Sequence, residues 1–235
     1  MGFSRGPKLP TDTLNLALDA GNTKSYPGSG NTWTDLSGNG FNGSLNNSPG
    51  FNSDNVGSIV FDGINDYIFN TSFNYDDSSG TFTVLAWIYP TTVVTSNSYE
   101  AIMNKSDSGN HVFSTFILTS NNSLAAWHFD SGGTINQYTS SLIISFNTWN
   151  MLAYVFDQSV GYTFYLKNST TDSSETDSGA ITARTDSTNQ YMIGRWRNGG
   201  YHYSGRMANV YHYTSALTST QIDEYYNATK GRFGL

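Results

Sequence analysis

The chain has 235 residues, no cysteine and a formal net charge of −7, with aromatic residues at 15% and charged residues at only 12%. The acidic balance argues against a general nucleic-acid binder, and the missing thiols exclude disulfides and cysteine nucleophiles. The length fits one all-β domain, and no apolar run is long enough to span a bilayer.

Residues 1–13 are punctuated by Pro7 and Pro10 and carry no apolar leader, so they read as an extended arm ahead of a domain at 14–235. Neither Sec-dependent secretion nor membrane insertion is expected. Arg5 and Lys8 make residues 1–11 basic, while the remainder carries 9 basic against 18 acidic residues. Together with the basic Lys230-Gly231-Arg232, they are candidate contacts to an acidic neighbour such as another copy. Frayed, solvated ends are the alternative.

Leu14, Leu16 and Leu18 alternate with Asn15, Ala17 and Asp19, the period-2 signature of a first strand. After a long turn comes Trp33-Thr34-Asp35-Leu36-Ser37-Gly38-Asn39-Gly40-Phe41-Asn42-Gly43. It lacks the lysine and the strand-to-helix setting of a phosphate loop. Asp35, Asn39 and Asn42, beside glycine-exposed carbonyls, instead supply the hard oxygens that calcium takes. Residues 58–70 place Asp62-Gly63-Ile64-Asn65-Asp66 between two short runs rich in β-branched and aromatic residues. This reads as a hairpin turn closed by Asx bonds, or as a calcium ledge of Asp62, Asn65 and Asp66.

Thr81 to Pro90 is a central strand with two apolar faces, Phe82, Val84, Ala86 and Ile88 on one and Leu85, Trp87 and Tyr89 on the other. One face is expected in a sandwich core, the other against a second layer, a ligand or a partner. Further strands are expected at 99–105, 112–119, 124–129, 149–157 and 161–167, with turns at 107–110, 121–122 and 131–133. Residues 170–187 are polar, as an exposed edge or loop would be. Residues 191–201 read as strand, turn, strand around Asn198-Gly199-Gly200, and 201–213 alternate as a closing strand. The one helix expected is 218–229, with a Thr218/Gln221 capping box, a Leu217/Ile222 staple and a stripe of Ile222, Tyr225 and Tyr226.

Three of these stretches carry a resemblance. The Trp-x-Asp-x-Ser-Gly-x-Gly-x-x-Gly run of 33–43, the Phe-Asp-Gly-x-Asn-Asp-Tyr-Ile of 61–68 and the closing strand 201–213 resemble laminin G-like domains, within the concanavalin A-like lectin and glucanase superfamily. The resemblance spans about residues 14–230 and implies a jelly-roll β-sandwich with one short C-terminal helix. Asn209 stands where the family often has an acid, which bears on a calcium site that would use it. The ends, Ser4-Arg5-Gly6-Pro7-Lys8 and residues 225–234, resemble more narrowly laminin G-like proteins of tailed marine bacteriophages.

Glucanases of that superfamily use two glutamates and an aspartate on one strand. Here Glu100, Glu175 and Glu224 are far apart and no Glu-x-Asp-x-Glu run exists, so retaining glycosidase chemistry is not expected. No Gly-x-Ser-x-Gly elbow is present, and His111, His128, His202 and His212 lack helical metal spacing. Recognition remains. Arg195, Trp196, Arg197 and Tyr201 combine aromatic faces with planar hydrogen-bonding groups, the two things sugars need. The alternative is a surface hairpin whose Trp196 fills a core edge or meets a neighbouring subunit. The expectation is a non-enzymatic structural protein on a bacteriophage virion surface. It would be a capsid decoration protein or a fibre or receptor-binding component, contacting capsid or tail proteins and further copies of itself. The alternative is a lectin module for host surface glycans. Calcium is the one cofactor expected, and no nucleic-acid or membrane partner is.

Overall fold

The structure, a computed structural model, describes residues 10–73, 79–91, 99–106, 111–118, 120–130, 134–179, 190–197 and 199–235. Arg5, Lys8, Asn198 and the expected turns at 107–110 and 131–133 lie outside these residues. Two antiparallel eight-stranded sheets pack face to face. With strands numbered along the chain, the first sheet runs β14 (Asp172–Ser178), β13 (Gly161–Lys167), β12 (Asn150–Asp157), β7 (Thr81–Pro90), β16 (Ser204–Tyr213), β5 (Ser58–Asp62) and β4 (Gly50–Asn52). The half of β16 not paired with β5 pairs with β1 (Leu14–Asp19). The second sheet runs β11 (Ile135–Ile143), β10 (Ser123–Phe129), β9 (His111–Leu118), β8 (Tyr99–Ser106), β15 (Tyr191–Ile193), β6 (Tyr67–Asn70), β3 (Gly43–Asn46) and β2 (Thr32–Trp33).

The alternation of the sequence sorts the layers. Phe82, Val84, Ala86 and Ile88 of β7 face the second sheet and join Leu16, Leu18, Ile68, Ile102, Leu152 and Val210 in the main core. Each such side chain contributes about 1.5–3 kcal/mol by leaving water. Leu85 and Trp87 face outward into a second cluster, closed by helix α1 (Ser219–Thr229) and the 3-10 turn Lys230–Phe233. That helix starts as its sequence dictates. The Thr218 hydroxyl accepts from Gln221 N–H, the Gln221 side chain accepts from Thr218 N–H, and Leu217 and Ile222 are buried together. Trp87 stacks on Phe233 at 4.2 Å between centroids, so the outer face of the first sheet is roofed.

Four expectations are corrected. A bulge between Leu14 and Leu16 turns Leu14 away from the core to the helix side, although the three leucines alternate in sequence. The 62–66 turn is no hairpin, because β5 and β6 belong to different sheets and the turn crosses between them. Residues 135–143 form a strand that was not expected, paired with β10 and half exposed on alternating positions. The C-terminal basic group is not a free end. Arg232 pairs with Asp19 at 2.8 Å and donates to the carbonyls of Asn55 and Gly57, each at 2.7 Å.

The side where β11 meets β14 is sealed by side chains. The N–H groups of Thr139 and Ser141 donate to Asp177 at 2.7 Å and Glu175 at 2.9 Å. Edge donors on β11 are thereby covered, and β14 keeps a polar, acidic sequence that discourages another strand.

Candidate functional site

The outer face of the second sheet has no helix over it among the described residues, and it is aromatic. Ile68 points into the core, so Tyr67 and Phe69 of β6 point out. Leu124 and Ala126 point in, so Ala125, Trp127 and Phe129 of β10 point out. Onto this surface folds the loop between β15 and β16, which brings Trp196 and Tyr201 against Ala101, Trp127, Phe129 and Tyr99. The rings meet mainly edge to face: Trp127 with Trp196 at 5.6 Å, Tyr99 with Trp127 at 5.0 Å and Tyr99 with Tyr201 at 5.3 Å. Such contacts hold rings at fixed angles and leave Trp196, Tyr201 and Tyr99 half-buried, with ring surface still presented to solvent.

The loop is fixed at both ends. Gly194 has φ +79°, and a Cβ there would sit 2.5 Å from the Phe61 ring, so glycine is required. Asn104 of β8 donates to the Arg195 carbonyl at 2.7 Å, and Ala101 N–H donates to the Tyr201 carbonyl at 2.8 Å. Trp196 and Gly200 form an isolated bridge, so the expected second strand is an ordered loop. Tyr201 itself takes φ +56°, a left-handed conformation rare outside glycine and asparagine and of the kind that collects at functional sites. Burial pushes its phenol up, with Tyr99 adding to the effect, so it stays a neutral donor at ordinary pH. The Arg195 guanidinium lies 3.6 Å from the Tyr67 ring centroid and that of Arg197 lies 5.5 Å from the Trp196 ring centroid. All four residues singled out in the sequence therefore share one surface. Tyr67, Tyr99, Trp127 and Phe129 were missed. For Trp127 and Phe129 the signal was the same two-faced apolar pattern that marked β7, present in 124–129 as well, but nothing in it tied them to Tyr67 and Tyr99.

The first candidate calcium cluster is satisfied by its own chain. Asp35 Oδ1 accepts from the N–H groups of Ala17 and Ser37, both at 2.9 Å, and Oδ2 from the Ser37 hydroxyl at 2.7 Å and Phe41 N–H at 3.1 Å. Asn42 Oδ1 accepts from Asp35 N–H, and the Asn39 amide reaches the Leu14 and Asn15 carbonyls. These residues do not fit an ion without surrendering those bonds. In the second cluster Asp62 Oδ1 accepts from the N–H groups of Ile64, Asn65 and Asp66, and Asp66 Oδ2 from Asp62 N–H. Asn65 contributes its carbonyl to the Asn47 amide. Asp66 Oδ1 is buried with no hydrogen-bond partner. Burial raises the Asp66 pKa and the Asp62 charge adds to it. Burial acts the same way on Asp62, but its three N–H donors outweigh that and lower it. Among the described residues no three His, Asp or Glu side chains are grouped to hold a metal. Asn209, buried in β16, turns its Oδ1 to Trp87 N–H at 3.1 Å and repairs the ladder where the strand bulges after Met207.

The glutamates do not converge. Glu100 is buried in β8 and accepts from Ser204 N–H, Glu175 is in β14 and Glu224 is exposed on α1.

No curated protein matches the chain. Among solved structures it is similar to the binding domain of Paraclostridial Mosquitocidal Protein 1, at 19% identity and TM-score 0.66, covering 93% of this chain and 52% of that one. It is similar to the binding domain of Botulinum Neurotoxin DC in complex with SialylT, at 14% identity and TM-score 0.66, covering 94% and 52%. It is also similar to the ligand binding domain of botulinum neurotoxin serotype D in complex with N-acetylneuraminic acid, at 14% identity and TM-score 0.63, covering 92% and 51%. The chain spans about half the length of each, so these likenesses establish the fold alone. The family model Laminin_G_3, of the Concanavalin A-like lectin/glucanases superfamily, matches residues 62–223, and the chain belongs to that family.

Proposed function

We propose that the protein is a non-catalytic recognition module that binds cell-surface glycans on the outer face of its second sheet. The observation that carries this reading is the set of part-exposed rings, Tyr99, Trp196 and Tyr201, held at fixed angles over Trp127 beside two guanidinium groups. Sugars stack their C–H faces on such rings and hydrogen-bond at the rim. The sugar complexes among its structural neighbours support the reading, within the half-length overlap. Calcium, where the module uses it, belongs at the 62–66 turn, beside the unpartnered Asp66 Oδ1.

A place on a bacteriophage virion surface, as a decoration or fibre component, is the second reading. It rests on the sequence of the two ends, and the engagement of Arg232 within the fold weakens the part drawn from the C-terminus. The test is a glycan array probed with the wild-type chain and Trp196→Ala, each checked for an unchanged melting curve. Binding by the first and loss in the second is the expected result. No binding to any glycan, with retention on phage particles seen by labelled electron microscopy, overturns the lectin reading in favour of the structural one.

A further inference from the structure

We infer that the glycan bound at this surface carries a carboxylate, and that Arg195 receives it. The inference rests on the aromatic face being the ligand site. Arg195 projects from the loop between β15 and β16 in a chain with an excess of acids, 18 against 11 basic residues. The other arginines whose ion pairs are seen are matched by a carboxylate: Arg232 by Asp19 at 2.8 Å and Arg206 by Asp54 at 3.8 Å. Lys167, likewise, is held by both Asp172 and Asp223. Among the described residues Arg195 has no such partner. Its guanidinium lies over Tyr67, 3.6 Å from the ring centroid, and among the described residues the polar contact of its side chain is from Nη2 to the Met192 sulfur at 3.9 Å, too long and too soft to satisfy a cationic donor. Its Nε is buried with no acceptor. A guanidinium offers five donors in a fixed plane, and the unmet Nε costs free energy that an incoming anion would offset.

The geometry points to a carboxylate in particular. The Tyr67 ring holds the guanidinium in place, and a guanidinium is a planar, two-pronged donor, the shape that a carboxylate matches with two parallel bonds. Trp196 follows in the chain and sits with Tyr201 at a centroid distance of 5.3 Å, on the same outer face as Tyr67, so a glycan lying across that face meets both the rings and the guanidinium. On the adjoining 62–66 turn Asp62 spends its Oδ1 on three backbone donors and Asp66 its Oδ2 on one, and neither forms an ion pair with Arg195. The ligand class is an acidic monosaccharide unit, a sialic or a uronic acid, at the end of a glycan.

The experiment uses the whole chain and five probes in saturation-transfer NMR and titration calorimetry: N-acetylneuraminic acid, glucuronic acid, the methyl ester of each, and lactose as a neutral sugar. Both acids are expected to bind, and the esters and lactose to bind roughly 10- to 100-fold more weakly, the loss that follows from removing charge-assisted bonds. Arg195→Gln and Arg195→Lys are expected to reduce acid binding by a similar factor and to narrow the gap between acid and ester, with the lysine variant testing the fork rather than the charge. Equal binding of acids and esters, or acid binding intact in Arg195→Gln, overturns the inference while the aromatic site stands. Binding of acids that survives Trp196→Ala as well overturns the site itself. Comparison of the two acids identifies which source supplies the carboxylate.

Discussion

Replacing Asp35 by alanine tests whether the most family-like loop of the sequence is a structural clamp. The carboxylate is buried and takes four hydrogen bonds, from Ala17, Ser37 twice and Phe41. It thereby joins β1 to the loop that follows β2. The bond from Ala17 is buried, so the variant leaves that N–H unmet at a cost of about 1–3 kcal/mol. The other three donors are part-buried and recover water, losing about 0.5–1.5 kcal/mol each. The sum is a loss of about 2.5–7.5 kcal/mol, a large fraction of a stability of about 5–15 kcal/mol. Urea denaturation followed by tryptophan fluorescence measures it, with the slope unchanged. In thermal melts run with calcium and with chelator, wild type and variant are expected to respond alike, because the Asp35 oxygens are already engaged. A loss below about 1 kcal/mol, or a calcium-dependent rise in the wild-type melting temperature that the variant lacks, refutes the clamp.

Three further outcomes are expected. His212 is fully buried among Phe82, Phe73 and Phe113, and burial, with the Lys105 charge adding, lowers its pKa to about 3. The folded state therefore refuses a proton that the unfolded chain takes at about 6.5, so this contribution is whole above that pH and is lost as pH falls toward 3, by at most about 5 kcal/mol. Stability curves from pH 7 to 4 should be flatter for His212→Phe than for wild type, and parallel curves would count against the assignment. Arg232→Met removes the Asp19 pair and two carbonyl bonds and is expected to cost about 2–4 kcal/mol, with faster hydrogen exchange in residues 219–233. Deleting residues 1–9 is expected to leave stability within about 0.5 kcal/mol while reducing any salt-sensitive self-association carried by Arg5 and Lys8, which sedimentation at low and high salt measures.

The fold was legible because burial in a sandwich imposes a period of two, and β7, β12, β13 and α1 display their patterns cleanly. The misreadings have physical causes. Asp62 to Asp66 has the composition of a hairpin turn, but which sheet each flanking strand joins is decided by partners over 120 residues away, such as Arg206 and Tyr191. The strand Ile135–Ile143 was hidden because its alternate positions are polar and its edge donors are met by the distant Glu175 and Asp177. The loop residues of the candidate site were legible as a cluster of types. The aromatic floor beneath them was not, since Tyr67, Tyr99 and Trp127 come from three separate strands.

The lock made by Arg232 has a practical consequence for orientation. The final residues are tied to the helix side of the first sheet, and Leu235 packs beside the cluster that Trp87 and Phe233 share. The aromatic surface lies on the opposite side of the sandwich. A tether joined after Leu235 therefore leaves from the back of the molecule, and copies arrayed on a bead or a particle by that tether all turn their rings outward. Weak single-site contacts then add through effective concentration. The same array built through the loop between β15 and β16 would face its rings inward and bind nothing.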